Sequence, residues 1–338
     1  MTTNATFVKI LPLISIIGTA GAANAGASSV EPAVGVANTA TPPAPSATPA
    51  TLPPYSLPWQ LRPVSTGNVV RIESAAAAFN DAVGNLDVAV TTVLAASYQL
   101  TPDWAPTIRF GFVGNDAPGA ALDGSSVGNP VLGATHVRSL GSYRLALFGA
   151  ATIPIGTGAG DARYVPAAKT NAASMTARPA DGAMFAVNYT TGIVGGDFAY
   201  VNHGFTVQGE ATVLQYVRVR GGNSADSPDP LRTQAAVGLH VGYFIGSHFS
   251  LSGDLYYQRW LSHPTTSSAA TGTRVALSDA DIASTTVAVG PRFHFRVGKQ
   301  GWIRPGMSFV RGFDARGFDA PLLTAKTTAV QVDVSVMF

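Results

Sequence analysis

The sequence predicts an all-β fold: a closed antiparallel transmembrane β-barrel of 12 strands, with short periplasmic turns and longer extracellular loops. Three observations predict it. The chain opens on a leader-like segment. Period-two alternation then returns along most of its length. Only 12% of the 338 residues are charged, about half the usual share, while 46% are hydrophobic. No run of 18 or more apolar residues follows the leader, so the sequence offers no transmembrane helix. A secreted chain that is apolar overall but locally interrupted fits a barrel whose outward residues meet lipid and whose closure removes sheet edges.

Residues 1–25 read as a secretory signal peptide. Lys9 supplies the positive charge, an apolar run follows from Ile10 to Ile17, and Ala23-Asn24-Ala25 is a small-x-small cleavage site. The run is too short for a membrane-spanning helix. Loss of Lys9 leaves 20 Lys+Arg against 19 Asp+Glu, a formal charge of +1. That near-neutrality excludes the basic stripe expected of a nucleic-acid binder. With no cysteine there is no disulfide, thiolate metal site or thiol nucleophile.

Residues 26–66 are rich in Pro and Ala, as in "TPPAPSATPATLPPY". Proline removes backbone donors and the stretch buries little, so it predicts a semi-extended periplasmic linker. Plugging of the lumen or binding of a periplasmic partner is the alternative reading. The barrel itself is expected over 67–338.

Alternation assigns the strands in order. Val70 and Ile72 face out. The even positions from Leu86 to Leu100 follow, then Ile108, Phe110 and Phe112. Val131, Gly133, Thr135 and Val137 form a weaker outward set, with His136 and Arg138 inward. Leu145, Leu147, Ile153 and Ile155 continue the series. "AMFAVNYTTG" offers Phe185, Val187 and Tyr189. Phe205 to Val213, Val237 to Ile245, and Phe249, Leu251 and Leu255 come next. Val287 to Phe295, Ile303 to Phe309, and "TTAVQVDVSVMF" complete 12. Ten or 14 strands also suit the pattern. Longer connections such as 156–182 and 262–282 alternate with short ones such as "LGS" and "GKQG", the asymmetry of outer-membrane barrels.

The inward parity gathers the strand charges: Arg71, Arg109, Arg138, Arg144, Arg218, Arg292, Arg296 and Arg304, with Glu73, Asp87, Glu210, Asp254 and Asp333. Each would cost a few kcal/mol at mid-depth on a lipid face. These groups either line a wet path that favours anions or pair across a narrow barrel and close it.

The ending "VQVDVSVMF" resembles the terminal signature of bacterial outer-membrane proteins. That resemblance implies that Phe338 is an assembly signal read by the barrel-assembly machinery. A second stretch, "GNPVLGATHVRSLGSYRLALFGAATIPIGTGAGD", resembles the family of outer-membrane barrels associated with meta-pathway phenol degradation. Gly128, Pro154, Gly156 and Asp161 match its pattern. Asn129 and Pro130 depart from its usual acidic start, and Asp161 stands several residues beyond Gly156 rather than beside it. The resemblance implies a barrel and passive uptake of small, often aromatic solutes.

The expected partners are outer-membrane lipids and lipopolysaccharide, the assembly machinery and a small-molecule solute, with no cofactor. A lipid-modifying enzyme is a further alternative. The inward His136, His240 and His294 have inward serines among which to find a nucleophile, but no nucleophile-elbow motif is present.

Overall fold

The computed structural model describes residues 55–80, 86–116, 124–158, 178–221, 229–262, 265–267, 274–276, 282–298, 301–313 and 327–338. The expected signal peptide and residues 26–54 lie outside these. Twelve strands form the barrel, and each pairs antiparallel with its neighbours in the chain. They are β1 (Val69–Asn80), β2 (Leu86–Ser97), β3 (Trp104–Asp116), β4 (Val131–Leu140), β5 (Tyr143–Thr152) and β6 (Tyr189–Asn202). The second half comprises β7 (Phe205–Arg218), β8 (Leu231–Ile245), β9 (Phe249–Trp260), β10 (Ala283–Phe293), β11 (Gly301–Phe313) and β12 (Thr328–Met337). Closure comes from β1 against β12, in register from Val69 opposite Met337 to Ala78 opposite Thr328. The fold is therefore the closed 12-strand barrel expected from the alternation.

Short extra strands decorate it. Gly124–Val127 pairs with the end of β3, and Thr265–Ser267 pairs with Arg274–Ala276. Beyond His294, β10 resumes as Phe295–Val297 along β11. Tight turns use the residues their dihedrals require. His203 and Gly204, between β6 and β7, both have positive φ (47° and 81°), the combination of a type I′ hairpin.

The two faces differ as period-two patterning demands. Outside, Val330 and Val332 of β12, Leu239 and Val241 of β8, and Phe309 of β11 are exposed. Inside, Gln331, Asp333 and Ser335 of β12 and Gln208, Glu210 and Thr212 of β7 are buried. An apolar exterior around a polar interior inverts the arrangement of a water-soluble domain.

Three expectations are corrected. In β4 the parity is reversed: Val131 and Val137 are buried, while Leu132 and Arg138 are exposed. The lumen beside β4 holds apolar groups, so its valines turn inward: Val131 packs with Phe148 and Met184, and Val137 with Tyr55 and Leu57. Arg138 thus faces out, close to the turn at Gly141, where an outward charge costs little. His136 also turns out and lies against the Trp104 ring, 4.7 Å between centroids.

The sixth strand begins only at Tyr189. Phe185 belongs to a one-turn helix, α1 (Gly182–Phe185), whose four residues are all buried. Finally, residues 55–66 do not run as a free linker. Tyr55, Leu57, Trp59, Leu61 and Val64 are buried among inward wall residues.

Candidate functional site

The lumen is the site, and residues 55–66 occupy it as a plug. Proline-rich chain carries backbone donors and acceptors that cannot stay unpaired inside a barrel. The inward carboxylates meet them. Asp254 Oδ2 accepts from the amides of Trp59 (2.8 Å) and Gln60 (2.7 Å), and its Oδ1 lies 2.6 Å from His240 Nδ1. Glu210 accepts from both the amide and the guanidinium of Arg62, each at 2.7 Å. The Tyr55 hydroxyl donates to Gln208 (2.6 Å) and accepts from the Val64 amide (2.9 Å). Arg71 donates to the Pro58 carbonyl, and Gln60 to Gln331.

Side chains of the plug fit where the wall has no Cβ. A Cβ on Gly238 would meet Leu61 at 2.7 Å, and one on Gly306 would meet Trp59 at 2.6 Å; Ser56 sits against Gly242. Cations cover its aromatic surfaces and neighbours. Arg292 lies over the Trp59 ring at 4.3 Å, and Arg62 over Phe148 at 3.9 Å.

A second inner layer comes from the loop before β6. Arg178 pairs with Asp181 (2.7 Å) and, at close range, with Glu73. Arg109 reaches Asp181 at 2.7 Å. Burial disfavours the charge on Asp181, but Arg109 and Arg178 outweigh it and hold the carboxyl below its ordinary value. Burial likewise opposes the charge of Arg178, and Glu73 and Asp181 reverse that and raise its pKa. Met184 and Phe185 then settle over Gly111 and Gly128, positions where a Cβ would collide with them. Asn129 locks the loop down. Its Nδ2 donates to the carbonyls of Ala186 (3.1 Å) and Tyr189 (3.0 Å), and its Oδ1 accepts from the Gly156 amide.

Of the 13 predicted lumen residues, most gather in these networks. Arg71 bridges Glu73 and Asp333, and Arg292 also binds Asp333 at 2.8 Å. Glu210 and Asp254 hold the plug, and Arg109 holds the loop. Arg304 is buried in the same wall. Arg144 is half-buried, 5.1 Å from the Tyr55 ring centre. Arg218 is half-buried at the end of β7, and Arg296 is exposed beside the turn at Gly298. Arg138 is outside the barrel, and the side chain of Asp87 lies outside the described residues. Phe338 is 68% exposed and tied by its amide to the Asn68 carbonyl.

Sequence reasoning missed Tyr55, Trp59, Arg62, Asn129, Arg178 and Asp181. The signal for the plug was present: in "YSLPWQL", Tyr55, Leu57, Trp59 and Leu61 alternate inside a Pro-rich stretch.

Between plug, loop and wall remains a cavity of about 160 Å³. Phe148, Ile193 and Met184 line its apolar side, and Arg71, Glu73 and Arg109 its charged side. Among the described residues, no serine, histidine and carboxylate are linked in one chain of hydrogen bonds. Ser250 lies 2.9 Å from His294 Nε2, but among the described residues nothing orients the other ring nitrogen. His240 has its carboxylate, yet no serine on its second nitrogen.

No family model matches the chain, and no curated protein matches it either. Solved structures do. The COG4313 outer membrane channel from Pseudomonas putida F1 matches with a TM-score of 0.56 at 15% identity, over 84% of this chain and all of that one. The NanC porin matches with a TM-score of 0.48 at 10% identity, over 80% of this chain and 98% of that one. By the first of these likenesses, the chain has the fold of an outer-membrane channel.

Proposed function

We propose that this chain is an outer-membrane channel for passive passage of small solutes that are apolar, aromatic or weakly anionic. The observation that carries the reading is the two-sided cavity beside the plug, large enough for one small solute with an apolar body and a polar group. The apolar exterior supports the membrane setting, and "VQVDVSVMF" supports delivery by the assembly machinery after removal of residues 1–25. Lipopolysaccharide and lipid would cover the outer face. The loose resemblance to the meta-pathway barrels agrees with aromatic solutes. No nucleotide-binding motif is present in the sequence, so passage runs down a gradient.

The plug must shift or thin for a solute to pass. That favours one rival, a structural barrel whose lumen stays closed, because the ion pairs around Glu73, Asp181 and Asp333 lie in the lumen beside the plug. Planar-bilayer recording and proteoliposome uptake of benzoate separate the two. The channel reading expects benzoate uptake above empty liposomes, and frequent anion-preferring openings once residues 55–64 are deleted. Folding of the deletion variant is checked by its heat-dependent gel migration. Uptake by the intact chain no greater than in empty liposomes would leave the closed barrel as the answer.

A further inference from the structure

Among the described residues, the lumenal wall carries a cluster of buried donors that have no hydrogen-bond partner. Arg304 of β11 is 1% exposed, and among the described residues its Nε and Nη2 have no hydrogen-bond partner. Directly across the sheet is Ser335 of β12, fully buried, whose hydroxyl also has none. On the other side, the strand register (Phe295 opposite Ile303) sets His294 beside Arg304; it is fully buried, and its Nδ1 is unpartnered. Two residues along the same face, Arg292 spends Nη2 on Asp333 but leaves Nε and Nη1 unmatched. The indole Nε1 of Trp59, stacked on Arg292, is unmatched too.

Two facts decide what meets these donors. An arginine cannot shed its proton as a buried lysine or histidine can. Leaving its charge unpaired in a buried site is among the costliest arrangements a protein can hold. The nearby carboxylates are already shared. Glu73 serves Arg71 and Arg178, Asp181 serves Arg109 and Arg178, and Asp333 serves Arg71 and Arg292 through Oδ2, its Oδ1 lying toward Gly306 without a partner among the described residues. Five arginines, counting Arg304, thus face three carboxylates, and Arg304 contacts none of them. There is also an approach: Trp59 and Ser335 both line the cavity described above.

We propose that Arg304, Arg292 and Ser335 form a buried binding site for a small inorganic anion of chloride size. Ser335 and Arg304 stand opposite each other on adjacent strands, about 5 Å apart at Cβ, a spacing that a compact ion bridges more readily than a bulky oxyanion. The anion completes the charge balance of the wall and braces the seat of Trp59. This site does not depend on whether the lumen conducts.

The test uses the full chain in detergent, with sodium gluconate exchanged for sodium chloride at constant ionic strength. The readout is the unfolding midpoint by heat-dependent gel migration. Chloride should raise it saturably by a few degrees, because a ligand bound only to the folded state stabilises it by mass action. Arg304→Gln should abolish that dependence, and Arg138→Gln, on the outer face, should keep it. Should Arg304→Gln fail to fold, Ser335→Ala carries the test and should move the half-saturating chloride concentration up by about tenfold. Equal midpoints in both salts for the natural chain would overturn the site. So would unchanged chloride dependence in Arg304→Gln or, where that variant does not fold, in Ser335→Ala.

Discussion

At Gly306 the wall and the plug meet closely. A Cβ there would stand 2.6 Å from the Trp59 ring and 2.9 Å from Asp333 Oδ1, and neither neighbour is free to yield. Trp59 is pinned by its amide to Asp254 and by Arg292 beneath its ring; Asp333 is held by two arginines. Gly306→Ala should therefore weaken the seat of the plug by about 1–3 kcal/mol, the usual cost of overpacking, while the strand pairing survives. Asp254→Asn should act in the same direction by another route. It replaces the charged acceptor of two plug amides with a neutral one, a loss of about 2 kcal/mol. Both variants should give more frequent openings in planar bilayers at unchanged gel migration. An open probability equal to that of the natural chain in both would show that these contacts do not hold the lumen shut.

The loop before β6 is an element fastened at both faces, by Asp181 to two arginines and by Asn129 to the carbonyls of Ala186 and Tyr189. Because Asp181 titrates below its ordinary value of 3.8 in the folded chain, its pairing is fully present above that pH and is lost as pH falls through the folded value. Acid should loosen the loop, and Asp181→Asn should already be loose at pH values above the folded titration of Asp181. Cleavage by pepsin near Phe185, timed at successive pH values below 4 and corrected for the pH dependence of the protease, reads this. Equal protection of the natural chain and Asp181→Asn at pH 3.5 and above would contradict it. This element was also the least legible in sequence. Strands with lipid on one side and polar groups on the other, such as β12, announce themselves by strict alternation. Alternation says only that two faces differ, however, not which face is inside. Where the plug and α1 make the lumen apolar, beside Val131, Val137 and Ile193, the rule "apolar means outward" fails. It misread β4, and with it Arg138 and His136, and it took Phe185 for a lipid-facing strand residue. The plug was hidden for another reason: its prolines argue against independent folding, which is true, but the barrel wall supplies the partners that a free linker lacks.

For the molecule as a whole, closure rests on one seam, β1 against β12, which joins the first barrel strand to the last. Ten residue pairs run from Val69–Met337 to Ala78–Thr328, with the Phe338 amide adding a bond to the Asn68 carbonyl at 3.1 Å. The ring of Phe338 adds little to this seam, being 68% exposed. Deleting Phe338 should therefore cost the finished barrel no more than one terminal hydrogen bond, about 1 kcal/mol. A role as an assembly signal makes a different demand. The Phe338-deletion chain should reach the membrane fraction poorly in cells, yet fold from denaturant into detergent with nearly the natural unfolding midpoint. Normal membrane yield would remove the signalling role. Poor yield together with failure to fold in detergent would instead make the residue part of the seam, and the contrast between the two assays decides between these.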